Sequence, residues 1–169
     1  MKPQIPIPEL EKKAIEVIKK IEYLNIASIT PDGMPWNSPV YTVYDSDLNF
    51  HWVSWKGNQH SINIANNPNV FVTLYDSTVP CSTGFGVYMK GTVKMITNPV
   101  HLAKCLITFY KRRNRGPRDF KEFLSAYPRR LYMFTPQQLW VNGDGEINGN
   151  FIDIRTELNL EKLKQLIKA

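Results

Sequence analysis

Cysteine and histidine are scarce in this 169-residue chain, which carries only Cys81 and Cys105, and only His51, His60 and His101. No C-x-x-C pair occurs, so spacing supports neither a zinc finger nor a disulfide framework. Both thiols read as reduced, and no bound metal is expected. Long apolar runs are also missing. Nowhere does the chain approach the ~18 consecutive apolar residues of a spanning helix, and the proline-rich start lacks the apolar stretch of a signal peptide. The expectation is a cytoplasmic protein with no membrane partner. G-x-x-x-x-G-K-[ST], G-x-S-x-G and H-E-x-x-H are absent, as is a recognisable carboxylate pair, so the usual signatures of P-loop, serine-hydrolase and zinc-protease chemistry fail. Asp32, Asp45, Asp47 and Asp76 fall at expected turns or strand ends, where solvated turn roles suffice.

What is present suits a globular protein: 43% hydrophobic, 12% aromatic and 21% charged residues. A chain this long buries roughly 70% of its unfolded surface, so a core forms without staples. No internal repeat, low-complexity tract or linker divides it, and residues 1–169 read as one domain. Lysine and arginine total 21 against 15 acidic residues, and the net charge of +6 favours anionic ligands such as phosphates.

Pro8 suits the start of a helix, and Leu10, Ala14, Val17, Ile18 and Ile21 recur at helical spacing, so an amphipathic covering helix is expected over about 8–22. A hairpin follows: apolar residues 26–30, the turn Pro31-Asp32-Gly33, then a strand over 36–44. Further strands are expected at 48–54, 70–75, 86–96, 131–135, 138–141 and 151–155. Helices are expected before Asn66-Asn67-Pro68, at 99–111, near 119–126, and over about 160–168 with Asn159 as cap. Short strands in tight turns, with helices as covers, give an α+β fold built on an antiparallel barrel.

Residues 50–68 are the most informative segment, because a strand runs through a short polar turn directly into a helix. Free N–H groups and the positive end of a helix dipole favour a phosphate there, and Ser54, Lys56, Gln59, His60 and Ser61 place donors around the same point. A plainer reading has Asn58 or Ser61 capping the helix and Lys56 solvated. Trp36, Tyr41, Tyr44, Phe50, Trp52, Trp55, Tyr88 and Trp140 could wall a planar ligand, or simply form core. A basic group, Lys111, Arg112, Arg113, Arg115, Arg118, Arg129 and Arg130, allows three readings: a nucleic-acid surface, a solvated helix end, or an entry for anionic substrate into a cleft.

Four stretches together carry a resemblance: G-M-P-W-N-S-P-V-Y-T-V-Y-D (33–45), F-H-W-V-S-W-K-G-N-Q-H-S-x-N-I-x-N-N-P-x-V (50–70), G-V-Y-M-K-G-T-V (86–93), and L-W-V-N-G with D-I-R (139–155). In order and spacing they resemble the pyridoxamine 5′-phosphate oxidase-like, FMN-binding split-barrel family across roughly residues 20–157. The resemblance implies a six-stranded antiparallel split barrel with peripheral helices. It also implies a homodimer with one FMN in each of two interfacial clefts. By the same resemblance Pro39, Val40, Tyr41 and Thr42 run beside the flavin ring. Val53, Ser54, Lys56, Gln59, His60 and Ser61 form the phosphate and ribityl site, while Tyr88, Trp140 and Arg155 reach the ring, the last two often from the partner subunit. The founding enzyme's substrate-holding R-x-H-x-R is replaced by Phe151-Ile152-Asp153-Ile154-Arg155, and its S-R-K phosphate turn by Asn58-Gln59-His60. An arginine expected at Ser38 is missing, which leaves hydroxyls, amides, Lys56 and a protonated His60 to hold the phosphate. The expected function is an FMN-dependent oxidoreductase acting on a small substrate. The alternatives are a flavin-binding or flavin-sensing protein without turnover, and a basic nucleic-acid-binding module. Relatives with a similar barrel accept deazaflavin or haem in place of FMN.

Overall fold

A computed structural model describes residues 5–113, 116, 118–124 and 126–168. Helix α1 (Ile7–Lys20) starts on Pro8 and buries Leu10, Ala14, Ile15 and Ile18, the one stripe its spacing provides. Strands β1 (Tyr23–Ile29) and β2 (Pro35–Tyr41) form the expected hairpin around Gly33, whose φ of +88° suits glycine. The strand expected over 36–44 is broken at Thr42. Its N–H donates to the Glu22 carbonyl and its hydroxyl to the His51 carbonyl, and the two-residue strand β3 (Val43–Tyr44) then pairs with β4 (Phe50–Trp55).

Helix α2 (Gln59–Asn66) ends before Pro68 as expected, and β5 (Asn69–Tyr75) and β6 (Gly86–Met95) form the next hairpin. Helix α3 (Pro99–Arg113) is followed by a single 3₁₀ turn, Phe120–Phe123, in place of the helix expected near 119–126, of which residue 125 lies outside the described residues. The chain closes with β7 (Arg129–Ile147), β8 (Asn150–Leu158) and α4 (Leu160–Lys168). Asn159 Oδ1 caps α4 at the Lys162 N–H, 3.0 Å away.

Every strand pair is antiparallel, in the order β2-β1-β5-β6-β7-β4-β3, with β8 also on β7. Among the described residues eight strands stand where the resemblance implies six. The two strands expected at 131–135 and 138–141 are one: β7 continues through Pro136 because the register shifts there. Gly91 faces Pro136, Lys90 faces Gln138, and Gln137 is left as the extra residue of a bulge, where a proline is tolerated. The same crossing explains Gly91. A Cβ there would meet the Thr135 carbonyl oxygen at 2.1 Å.

β7 serves the whole sheet, pairing its first part with β4, its middle with β6 and its end with β8. The larger core lies between one sheet face and helices α1 and α4, around Trp52, Phe50 and Phe134. Buried Glu11 of α1 pairs with Lys162 of α4 at 2.7 Å. A second core packs α3 against the other side of β3 and β4, through Leu102, Leu106, Phe109, Val43 and Leu131. Within β4 the alternation is clear: Phe50 and Trp52 enter the first core, Val53 the second. This antiparallel sheet, curled so that its two ends approach, is a split barrel.

Candidate functional site at the seam of the sheet

The ends of the sheet, β2 on one side and β3–β4 on the other, leave a seam, and a cleft of about 560 Å³ occupies it. Such a volume suits a cofactor-sized ligand. Pro39, Val40 and Tyr41 line it from β2, Val53 and Ser54 from β4, and Asn58 and His60 from the start of α2. The outer edge of β2 pairs with no other strand among the described residues. Tyr41 forms an aromatic wall, edge-on to Tyr23 at 5.6 Å and to Phe109 at 5.8 Å.

The polar end is tightly organised. Asn58 occupies the N-cap position of α2, yet its side chain makes no cap bond and donates instead to Ser54 Oγ at 2.8 Å. The plainer capping role read for Asn58 is therefore not what this residue does. Ser54 Oγ lies 2.7 Å from His60 Nε2. Burial pushes the His60 pKa below its usual value of 6.5, so the imidazole is neutral at pH 7, contrary to the protonated form expected from sequence. With the ring proton on Nδ1, Nε2 accepts and the Ser54 hydroxyl donates to it. Ser61, next in the chain, is buried with no hydrogen-bond partner for its Oγ, but it does not line the cleft.

Two arginines complete this cleft, Arg118 and Arg129. Both lie against Glu122, at 3.5 and 3.2 Å, so two cations share one carboxylate, and Glu22 adds a second carboxylate to the cleft lining. Sequence reasoning placed both in the basic group without assigning them to the cleft. It read Asn58 as a helix cap or part of the phosphate turn, and it did not assign Glu22, Tyr23 or Phe109 to the cleft. Elsewhere in that group Arg112 sits over the Tyr44 ring at 4.8 Å and donates to the Lys19 carbonyl, while Arg130 donates to the carbonyls of Tyr127 and Arg129. Arg115 lies outside the described residues.

The remaining expected site residues are placed elsewhere. Thr42 is buried and bonded to His51, Lys56 is exposed, and Gln59 donates to Asn63 at 2.8 Å. Tyr88, Trp140 and Arg155 cluster with Phe71 around a separate hollow of about 220 Å³. There the Arg155 guanidinium sits 4.0 Å over the Tyr88 ring, and Trp140 stacks on Phe71. Within one chain they share no lining residue with the seam cleft.

The sequence profile of the pyridoxamine 5′-phosphate oxidase family matches residues 10–140, three quarters of the chain. The chain belongs to this family. Solved structures with the same fold include the heme storage protein HutZ of Vibrio cholerae, at 16% identity and a TM-score of 0.66, covering 78% of this chain and 94% of that one. A heme binding protein from Mycobacterium smegmatis matches at 13% identity and a TM-score of 0.66, over 95% of this chain but only 62% of its own length. An F420 reductase matches at 18% identity and a TM-score of 0.55, over 73% and 93% of the two chains. At such identities these likenesses concern the fold. None of the curated proteins compared with the chain matches it significantly. No described helix is long and apolar enough to cross a membrane.

Proposed function

We propose that this family member is an FMN-binding oxidoreductase that acts on a small substrate as a homodimer. The observation that carries the reading is the seam cleft, where one end gathers a serine–histidine pair and two arginines while the other offers an aromatic wall beside the outer edge of β2. The end with the two arginines suits a phosphate ester, and Ser54, Arg118 and Arg129 would hold it. The outer edge of β2 at Pro39, Val40 and Tyr41 would run beside a planar ring system. When bound, FMN supplies hydride or electron transfer, for which the protein provides binding and orientation. That division of labour explains why no catalytic dyad is needed.

The homodimer supplies what one chain lacks. Tyr88, Trp140 and Arg155 form a second aromatic and cationic group away from the seam, and a second copy that brings this group over the cleft would close the ring's open side.

The absorption spectrum of freshly purified protein, followed by FMN titration, tests the reading. A flavin spectrum, or saturable quenching of added FMN, supports it, and Ser54→Ala with His60→Ala should weaken binding at least tenfold. A colourless protein that neither quenches FMN nor gains thermal stability from it overturns the reading, and so does a haem spectrum. Rapid mixing of the FMN-loaded protein with NADH or NADPH then separates an oxidoreductase, whose flavin bleaches, from a flavin carrier without turnover.

A further inference from the structure

On the far side of β4 from the larger core, His51 faces α3, where His101 and Cys105 stand four residues apart and so share one face of the helix. One ligand-capable atom from each of the three lies within 4.8 Å of the others. His51 is 2% exposed, and its Nε2 makes no hydrogen bond. Leaving such a buried ring nitrogen bare is costly, so the position calls for a hydrogen-bond or ligand partner that the described residues do not provide. The nearest acidic group is Asp45, whose Oδ2 is 3.9 Å from that nitrogen. The other oxygen of Asp45 is held by the Asp47 and Asn49 backbone N–H groups, which fix the carboxylate in place.

We propose that His51 Nε2, one ring nitrogen of His101 and Cys105 Sγ bind a divalent transition-metal ion of the zinc type, with Asp45 or a water at the fourth position. Two imidazoles and one thiolate form a borderline-soft set that suits Zn²⁺ and Co²⁺ over Mg²⁺ or Ca²⁺. The present ligand-atom spacing exceeds that around a bound ion, and side-chain rotation on α3 would close it. Binding replaces the thiol proton with the metal and releases that proton to solvent. Burial and the nearby Asp45 hold the unmetallated Cys105 thiol up at about 11, so it stays protonated until a metal arrives. Sequence spacing conceals the site because position 51 lies 50 residues from 101, and only the helical pairing of 101 with 105 is local. The ion would pin α3 to β4 one turn from Phe109, the residue through which α3 walls the seam cleft.

The full-length protein, dialysed against a chelator and titrated with Co²⁺ in the absence of flavin, tests this directly. Saturation near one equivalent, with thiolate-to-cobalt absorption that Zn²⁺ abolishes, is the expected result. Cys105→Ser should remove the absorption, His101→Gln should weaken Co²⁺ binding at least tenfold, and Cys81→Ser should change neither. The proposal is overturned by lack of thiolate-to-cobalt absorption in the parent protein, by its persistence in Cys105→Ser, or by its loss in Cys81→Ser. His101 is only half-buried, so His101→Gln keeps the fold even where Cys105→Ser does not, and unaltered cobalt affinity in that variant also refutes the proposal. None of these readouts depends on FMN binding.

Discussion

The serine–histidine contact makes phosphate binding depend on pH, and the sign follows from the hydrogen-bond count. In the unliganded cleft Ser54 Oγ accepts from Asn58 and, with the His60 ring proton on Nδ1, donates to the neutral Nε2, an arrangement that leaves no proton to offer a ligand. A phosphate dianion set against Ser54 favours the opposite arrangement, in which His60 is protonated and donates to Ser54 Oγ while the serine proton turns to the phosphate. Binding therefore takes up a proton and raises the His60 pKa above its lowered unliganded value. Because the raised pKa belongs to the bound state, the added affinity is present at low pH and is lost as pH rises through that pKa. Between the two values affinity falls about tenfold per pH unit, equivalent to about 1.4 kcal/mol. The phosphate's own second ionisation near 6 sets the lower bound of the useful range. FMN fluorescence quenching from pH 6.5 to 8.5 measures the slope, with riboflavin, which lacks the phosphate, as a flat control. His60→Gln should keep a donor near Ser54 but abolish the slope. Equal FMN affinity across the range in the parent protein, or the same slope in His60→Gln, would refute the coupling.

The shared carboxylate predicts opposite effects on FMN affinity from two neighbours. Arg129→Gln should weaken it about tenfold and flatten its salt dependence, whereas Glu122→Gln should strengthen it by releasing both guanidiniums. Trp140→Ala should weaken FMN about tenfold, yet leave inorganic phosphate binding at the seam unchanged, as isothermal titration would show. Gly91→Ala should lower stability by about 2–3 kcal/mol in urea unfolding, because its Cβ would collide with backbone rather than a movable side chain. Lys162→Ala should cost about 3 kcal/mol by leaving the buried Glu11 carboxylate unpaired, and adding Glu11→Gln should recover part of that loss.

Local features of this fold were legible because they repeat or punctuate. The stripe of α1, the Pro-Asp-Gly turn, the helix stopping at Pro68 and the Asn159 cap each depend on neighbours within a few residues. β7 was not, since Pro136 reads locally as a strand break and only the partner strand shows that the ladder shifts around it. Thr42 likewise reads as one more β-branched strand residue, although its bonds to Glu22 and His51 turn the chain. In the seam, Pro39–Tyr41, Val53, Ser54 and His60 belong to two short segments that the family resemblance already flagged. Arg118, Arg129 and Phe109 come from distant elements, and their only sequence trace was a cluster of positive charge whose target lay elsewhere in the chain.

The split of the expected site into two places carries its own argument for a second copy. On the outer face of β1, β5 and β6, Tyr23, Ile29, Phe71 and Tyr75 remain 57%, 43%, 40% and 49% exposed, and they alternate with buried Leu24, Ile26, Val72 and Leu74 on the same strands. A sheet face left to water usually turns polar side chains outward, so Phe71, Thr73 and Tyr75 at successive outward positions of β5 mark a surface built for cover. Tyr88 and Trp140 continue that face across β6 and β7, directly opposite each other in register. Whatever covers the apolar strip therefore also touches the Tyr88–Trp140–Arg155 group. A second copy in a two-fold arrangement would cover both strips at once and give each seam the aromatic and cationic group that its own chain holds elsewhere. Replacing Phe71 and Tyr75 with serine should then shift the protein toward monomer in sedimentation velocity and weaken FMN binding in the same variant, although neither residue lines the seam cleft. A monomeric variant with undiminished FMN affinity would detach the outer face from the cofactor site.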